Sequence, residues 1–229
     1  EGGILPAILG TLYLALGAVV FALPLGILGA IFLNEYASDN WLLKTIKTGI
    51  NNLAGVPSIV FGLFGLAVFV KFFGFGVSLL SGSLTLSIMI LPVIISTTIE
   101  ALNTVPHSFR EAAYGVGASK WQTIRGIVLP AALPGIITGV ILGIGRAAGE
   151  TAPILFTAAT FFSKKIPTSI FSQVQALPYH IYALMTEGTH PERQVPIAYG
   201  SALVLLTLVL GLNLVAIIIR TRQRKKRVW

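Results

Sequence analysis

Apolar residues are concentrated in five long stretches, and polar segments separate each stretch from the next. A helix of about 20 residues is needed to cross the roughly 30 Å hydrocarbon core of a bilayer. All five stretches approach or exceed this length, so the pattern predicts five membrane-spanning helices. The predicted spans cover residues 4–33, 53–73, 84–102, 127–162 and 197–219.

The fourth stretch is too long to be one straight crossing. Its 36 residues would form a helix of about 54 Å at about 1.5 Å per residue. We therefore expect one span followed by a bend or a re-entrant segment. Proline breaks the interior of a helix because it lacks an N–H donor, so Pro153 marks the expected break. Pro92 predicts a kink in the third span for the same reason.

The composition supports this assignment and excludes a water-soluble globular protein. Hydrophobic residues make up 55% of the 229 residues and charged residues only 10%, whereas soluble domains are about a quarter charged. The chain has no cysteine, which excludes disulfides and thiolate metal sites, and its three histidines lack zinc-ligand spacing. We therefore predict an all-α integral membrane protein, with residues 1–229 forming a single transmembrane domain and binding no metal.

Much of the net charge of +8 lies at the C-terminus, where six of the sixteen basic residues occupy the last ten positions. Basic residues beside a span favour the cytoplasmic side, whereas nucleic-acid binding requires a basic face on a folded domain. We therefore predict a cytoplasmic C-terminus and no nucleic-acid partner. Five crossings then place residues 34–52 and 103–126 inside and residues 163–196 outside. This orientation puts eleven basic residues inside and four outside, namely Lys71, Lys164, Lys165 and Arg193.

Three glycines in the fourth span recur every four residues and therefore share one helical face. They are Gly135, Gly139 and Gly143. Small residues at this spacing allow two helix backbones to approach closely, which predicts that this face packs against another span. The alternative is chance, because glycine is common in membrane helices.

The segment between the third and fourth spans carries the signals of two short helices. Ser108 with Glu111, and Ser119 with Gln122, each have the spacing of a capping box. Gly115 and Gly117 lie between them, and glycine readily adopts the left-handed conformation that ends a helix. The pattern predicts a helix, a glycine turn and a second helix on the cytoplasmic side. A solvated loop with some helical character is the alternative.

This segment also matches a known signature. From Glu111 to Pro130 the chain reads EAAYGVGASKWQTIRGIVLP, which resembles the EAA loop of binding-protein-dependent ABC importer permeases. All seven defined positions of that signature are met: Glu111, Ala112, Ala113, Gly117, Ile127, Leu129 and Pro130. The resemblance implies the type I importer permease fold, with a core of five transmembrane helices. It also implies that the loop is a coupling helix that contacts an ATPase subunit through Glu111, Ala112, Ala113, Gly115 and Gly117.

Three further segments resemble the phosphate-importer permeases within that family. They read NNLAGVPSIVFGLFGLAVF in span two, GRAAGETAPILFTAA in span four and ALPYHIYAL in the outer loop. The resemblance implies a bacterial or archaeal cytoplasmic membrane and import of inorganic phosphate. The implied partners are a second permease subunit, two ATPase subunits that bind ATP and Mg, a phosphate-binding receptor and membrane lipid. These permeases usually carry one more N-terminal span, so we expect this sequence to begin inside a longer protein.

Two charged residues, Arg146 and Glu150, lie within the fourth span. An unpaired charge in the bilayer is costly, and the i, i+4 spacing brings these two side chains within reach of an ion pair. One interpretation is that Arg146 lines an anion pathway while Glu150 holds the guanidinium and accepts a proton that phosphate has and sulfate lacks. The other is a purely structural pair. The family resemblance, which implies an Arg and a Glu on the phosphate pathway, favours the first.

An ATP-binding site within this chain is excluded on its sequence. A phosphate-binding P-loop requires a Gly-Lys pair, and none occurs in the 229 residues. We therefore predict a transport subunit without enzymatic activity of its own. The alternatives are a permease for another oxyanion such as sulfate or molybdate, and a passive anion channel. A membrane enzyme is disfavoured because a single intramembrane ion pair leaves no nucleophile and base.

Overall fold

The computed structural model describes residues 3–160, 166–187 and 190–225, and the side chains of the last range up to residue 222. Parts of the prediction lie outside these residues: the end of the fourth span at Phe161 and Phe162, Lys164 and Lys165, and the last four residues. The described residues form helices α1 Leu5–Ile31, α2 Trp41–Ala54, α3 Ser58–Gly65, α4 Leu79–Asn103, α5 His107–Gly115, α6 Lys120–Thr123, α7 Leu129–Gly149, α8 Ala152–Leu155, α9 Leu177–Thr186 and α10 Pro191–Lys225.

Two of these helices continue into a π-helical turn, and a third is preceded by one, so the apolar helices are longer than the α-helical ranges. The turns are Phe32–Tyr36 after α1, Leu66–Phe72 after α3 and Ile124–Val128 before α7. Among the described residues, four continuous helices are then long and apolar enough to cross a membrane: Leu5–Tyr36, Leu79–Asn103, Lys120–Gly149 and Pro191–Arg222.

The second predicted span, residues 53–73, is not a straight helix. Its first two residues belong to α2, and the chain bends by 99° before the helix Ser58–Phe72. Pro57 has no N–H to continue α2, and Gly55 favours neither helix, so the break falls between them. The 15 residues of Ser58–Phe72 rise only about 22 Å. Helix α2 lies at 99° to this helix and adds almost no height, so the pair forms either a broken span or a re-entrant loop.

The fourth span also differs from the prediction, because it breaks three residues earlier than expected. Helix α7 ends at Gly149, and Glu150 is extended with φ −78° and ψ 135°. Pro153 lies in the first turn of α8, where a missing N–H breaks no hydrogen bond. In a continuous helix the Pro153 ring would clash with the Gly149 carbonyl four residues earlier, so the helix is interrupted between these two residues.

The core lies between α1, α4 and the second half of α7. Its largest fully buried side chains come from α4, among them Leu86, Met89, Ile90 and Ile94. Helix α10 is peripheral, and its leucines Leu203, Leu206, Leu210 and Leu214 are exposed. In a membrane protein, exposed leucines of this kind can contact lipid or another subunit, because lipid tails are as apolar as leucine side chains.

The segment before α9 folds back onto the start of α1. The backbone N–H of Leu177 donates to the Thr11 hydroxyl at 2.8 Å, and Gln175 Nε2 lies 3.1 Å from His180 Nδ1. Burial lowers the pKa of His180. This segment therefore covers the end of the bundle opposite the EAA loop, residues 103–126.

The glycine face of α7 packs on α4, and at two of its three positions α4 leaves no room for a Cβ. A Cβ at Gly135 would lie 2.5 Å from the Cβ of Ala101, and one at Gly139 would overlap the Thr97 hydroxyl. At Gly143 the nearest atom would be the Ile90 Cδ1, at 3.6 Å. Backbone proximity between α7 and α4 therefore depends on Gly135 and Gly139.

We expect Gly139→Ala to destabilise the protein and Gly143→Ala to leave it nearly unchanged. The added methyl meets the Thr97 side chain in the first variant but makes an ordinary contact in the second. Overpacking of this kind lowers the free energy of unfolding by about 1–3 kcal/mol. Thermal unfolding of the purified variants in detergent measures the difference, and equal midpoints would contradict the packing argument.

Candidate functional site

The break at the end of α7 brings together the two charges of the fourth span. Arg146 lies in the last turn of α7, and Glu150 is the residue that caps the helix. The Arg146 Nε lies 3.7 Å from Glu150 Oε1, so the two form an ion pair. A cation in the last turn also interacts favourably with the negative end of the helix dipole.

This ion pair is only partly buried. The Arg146 side chain is 33% exposed and the Glu150 side chain 19%. The closest approach of this pair is through Nε, and within the described part of the chain the terminal guanidinium nitrogens make no hydrogen bond. A planar guanidinium with free N–H groups suits the oxygen atoms of a tetrahedral oxyanion. The geometry therefore allows Arg146 to bind an anion while Glu150 holds its orientation.

The surroundings of the pair are formed by three other helices. Gly62 of α3 lies directly against the backbone of Ala152 and Pro153, just after the break. On another side, Glu150 lines a narrow crevice with Thr11 of α1 and Leu86 of α4. A break in a helix exposes backbone N–H and C=O groups inside the membrane, and the substrate sites of transporters are commonly found at such breaks.

Asn213 of α10 is a polar group near this site that the sequence analysis did not identify. Its side-chain amide faces Gly145, where an added Cβ would lie 3.5 Å from Oδ1. Within the described part of the chain, this Oδ1 is buried and has no hydrogen-bond partner. A lone asparagine in an apolar span was a usable signal, because polar residues in membrane helices usually face the protein interior.

The EAA loop forms a second site at the opposite end of α7. Helix α5 covers His107–Gly115 and α6 covers Lys120–Thr123, with a tight turn between them. Gly117 has φ +83°, and its N–H donates to the Tyr114 carbonyl at 2.9 Å. The predicted order of helix, glycine turn and helix is present.

Two details of the predicted loop are wrong. Ser108 makes no capping bond, because Pro106 precedes α5 and the helix already begins at His107. Gly115 is the last residue of α5, and it does not adopt the left-handed conformation found at Gly117. The second capping box is present, with Ser119 N–H donating to Gln122 Oε1 at 2.7 Å and Gln122 N–H donating to Ser119 Oγ at 3.3 Å.

The loop has one buried and one exposed face. Ala113 is buried, whereas Glu111 and Ala112 are exposed. Val116 at the turn is 86% exposed, and the aromatic rings of Tyr114 and Trp121 beside it are also accessible. Exposed apolar groups on a polar loop are typical of a surface that binds another protein.

Comparisons with known proteins agree with these features. Residues 22–228 match the family model described as "Binding-protein-dependent transport system inner membrane component". The "Phosphate transport system permease protein PstA 1" of Mycobacterium tuberculosis H37Rv is 40% identical over 229 residues, which cover 98% of this chain and 72% of that protein. The "Probable ABC transporter permease protein YqgI" of Bacillus subtilis 168 is 37% identical, over 94% of this chain and 76% of that protein.

A solved structure has the same fold. A chain of the MetNI methionine ABC transporter in an inward-facing conformation superposes with a TM-score of 0.72 at 18% identity, covering 96% of this chain and 94% of that one. This similarity confirms the predicted all-α type I ABC importer permease fold, and the relatives confirm the resemblance to phosphate-importer permeases. The chain therefore belongs to the binding-protein-dependent transport system inner membrane components, the permeases of ABC importers.

Proposed function

We propose that this chain is a permease subunit of an ATP-driven phosphate importer in a bacterial or archaeal cytoplasmic membrane. The single observation that carries the proposal is the Arg146–Glu150 pair at the break of the fourth span. Ionisable residues within membrane spans commonly mark substrate pathways, and a guanidinium can bind an anion there. The 40% identity to a phosphate transport permease supports phosphate as that anion.

The EAA loop would face the cytoplasm in this proposal. Five basic residues lie at this end of the bundle, namely Lys44, Lys47, Arg110, Lys120 and Arg125, whereas Lys71 and Arg193 lie at the other. An excess of Lys and Arg marks the cytoplasmic side. The C-terminus then lies in the cytoplasm.

Different surfaces of the molecule would bind different partners. Two ATPase subunits would bind the exposed face of the EAA loop, and they would hold the ATP and Mg. A second permease subunit would pack beside this one around the pathway, and a phosphate-binding receptor would dock on the outer surface. This chain would itself catalyse no chemical step.

During transport, movement of the ATPase subunits would be coupled to opening of the phosphate pathway. ATP binding closes the two ATPases, which moves the EAA loops and opens the pathway to the receptor. Phosphate released by the receptor meets the Arg146 guanidinium, and hydrolysis returns the spans to the inward-open state. ATP shifts the equilibrium between the two states of the transporter only as far as it binds one state better than the other.

The proposal is tested by reconstituting the complete complex in liposomes with the receptor outside. Labelled phosphate should accumulate only when ATP is present inside. A passive channel would equilibrate phosphate without ATP. A permease for another oxyanion would accumulate sulfate or molybdate in preference to phosphate. Either result would contradict the proposal.

We expect Glu150→Gln to weaken discrimination against sulfate. A carboxylate accepts the hydrogen bond that protonated phosphate donates and repels an anion without a proton, whereas an amide can donate to either anion. A site that recognises one hydrogen bond of its ligand favours that ligand over an analogue without the bond by a factor of about 10 or more. Phosphate uptake measured against increasing sulfate should show about tenfold stronger inhibition in the variant.

The matched control is Glu187→Gln, the same substitution at an exposed position after α9. It should retain the sulfate resistance of the parent. Unchanged sulfate resistance in Glu150→Gln would contradict a role for Glu150 in selectivity.

A further inference from the structure

The cytoplasmic end of α1 is joined to the EAA loop by a buried ion pair. Glu35 lies in the π-helical turn Phe32–Tyr36, and Arg110 lies in α5. The Arg110 Nη2 donates to Glu35 Oε1 at 2.8 Å, and its Nε to Oε2 at 3.4 Å. The two side chains are only 10% and 8% exposed. This is a fork-shaped contact that fixes both distance and direction.

The same guanidinium also reaches the end of α4. Arg110 Nη1 donates to the Val105 carbonyl at 2.7 Å, and Nη2 to the Leu102 carbonyl at 3.0 Å. Carbonyls at the end of a helix lack the usual donor four residues further on, and Arg110 adds a donor to the Leu102 carbonyl, which also accepts from the Val105 N–H at 3.3 Å. One side chain therefore joins α5, α1 and α4.

Helix α6 is joined to the same π-helical turn. The Lys120 ammonium lies 4.9 Å from the centre of the Tyr36 ring, which follows Glu35 directly. Beneath these polar contacts, Ile31, Leu102 and Ile124 pack in one buried apolar cluster. Both short helices of the loop are thus fixed to the end of α1.

Stability alone is a poor explanation for this ion pair. Buried ion pairs are commonly no more stabilising than apolar side chains of similar size, because both charges lose their hydration. Apolar contacts can slide over one another, whereas two hydrogen bonds between a guanidinium and a carboxylate fix the relative position of the groups. The pair is suited to transmitting a displacement of the loop to α1.

We propose that Glu35 and Arg110 are positioning residues that transmit movement of the EAA loop to α1 and α4. In this view the loop, α1 and α4 move as one body when the ATPases close. The inference rests on the proposed coupling to ATPase subunits, but not on the identity of the anion.

The test uses the complete complex in liposomes, with basal ATPase activity, its stimulation by the loaded receptor and uptake per ATP as readouts. Glu35→Gln keeps the size of the side chain and leaves the Arg110 bonds to α4 possible. We expect receptor stimulation and uptake per ATP to fall at least tenfold, while basal hydrolysis and binding of the ATPases are kept. The matched control is Asp39→Asn, in the exposed pair with Lys44, which should behave as the parent.

A second variant, Glu35→Leu with Arg110→Met, distinguishes transmission from stability. Apolar replacement keeps the site filled without a buried charge, so the complex should assemble and remain uncoupled. This variant also decides the matter if Glu35→Gln fails to assemble.

Full coupling in Glu35→Gln would overturn the proposal, and so would full coupling in the apolar double variant. A loss of ATP hydrolysis in proportion to the loss of uptake, in either variant, would also overturn it. A parent complex whose ATPase ignores the receptor would instead overturn the proposed function, and this inference with it.

Discussion

Replacing Arg146 with glutamine is expected to reduce phosphate uptake at least 100-fold without preventing assembly of the complex. The variant removes the charge that would attract the anion and leaves Glu150, 3.7 Å away in the parent, without its partner. Hydrogen bonds to charged groups contribute about 1.5–3 kcal/mol each, and loss of about 3 kcal/mol of binding to the anion corresponds to about 100-fold. Uptake of labelled phosphate into liposomes measures this effect.

Two further variants make the result specific. Arg193→Gln is the same substitution at an exposed position in the first turn of α10 and should transport normally. Arg146→Lys keeps the charge but loses the planar fork, so it should retain a small part of the uptake. Full uptake by Arg146→Gln would show that the pair is only structural and would remove the main support for an anion pathway here.

Replacing Gly117 with valine is expected to weaken binding of the ATPase subunits and to reduce uptake. Gly117 has φ +83°, a conformation that a β-branched residue adopts only with strain. The left-handed conformation costs an ordinary residue about 1–2 kcal/mol, so the turn between α5 and α6 should rearrange. We expect uptake to fall at least tenfold and ATPase subunits to bind more weakly in pull-down measurements.

Gly49→Val is the matched control. Gly49 is an exposed helical residue of α2, outside the EAA loop, and an added Cβ would meet nothing within 4 Å. This variant should keep most of the uptake, because valine in a helix costs only about 0.7 kcal/mol or less. Equal uptake in the two variants would contradict a requirement for the glycine turn.

Local sequence patterns were sufficient for many features. The apolar stretches predicted the spans because lipid requires long apolar helices. The Arg146–Glu150 contact followed from i, i+4 spacing, although Glu150 lies just past the helix end. The capping box at Ser119 was correct because its two partners are three residues apart. The box at Ser108 failed because Pro106 started the helix earlier.

Contacts between distant segments were not predictable in this way. Glu35 and Arg110 are 75 residues apart, and no local pattern pairs them. Asn213 and Gly145 likewise meet only because α10 packs on α7. The glycine periodicity suggested a packed face, but only the packing against α4 distinguishes Gly139 from Gly143.

By itself, the sequence determined the membrane environment, the four long apolar helices, the family and the short helices of the EAA loop. These depend on composition and on interactions within one or two helical turns. The tertiary structure alone decided which helices surround Arg146 and Glu150, and which residue after α1 meets the loop. These depend on how whole helices pack, and side-chain contacts across the bundle are set by that packing.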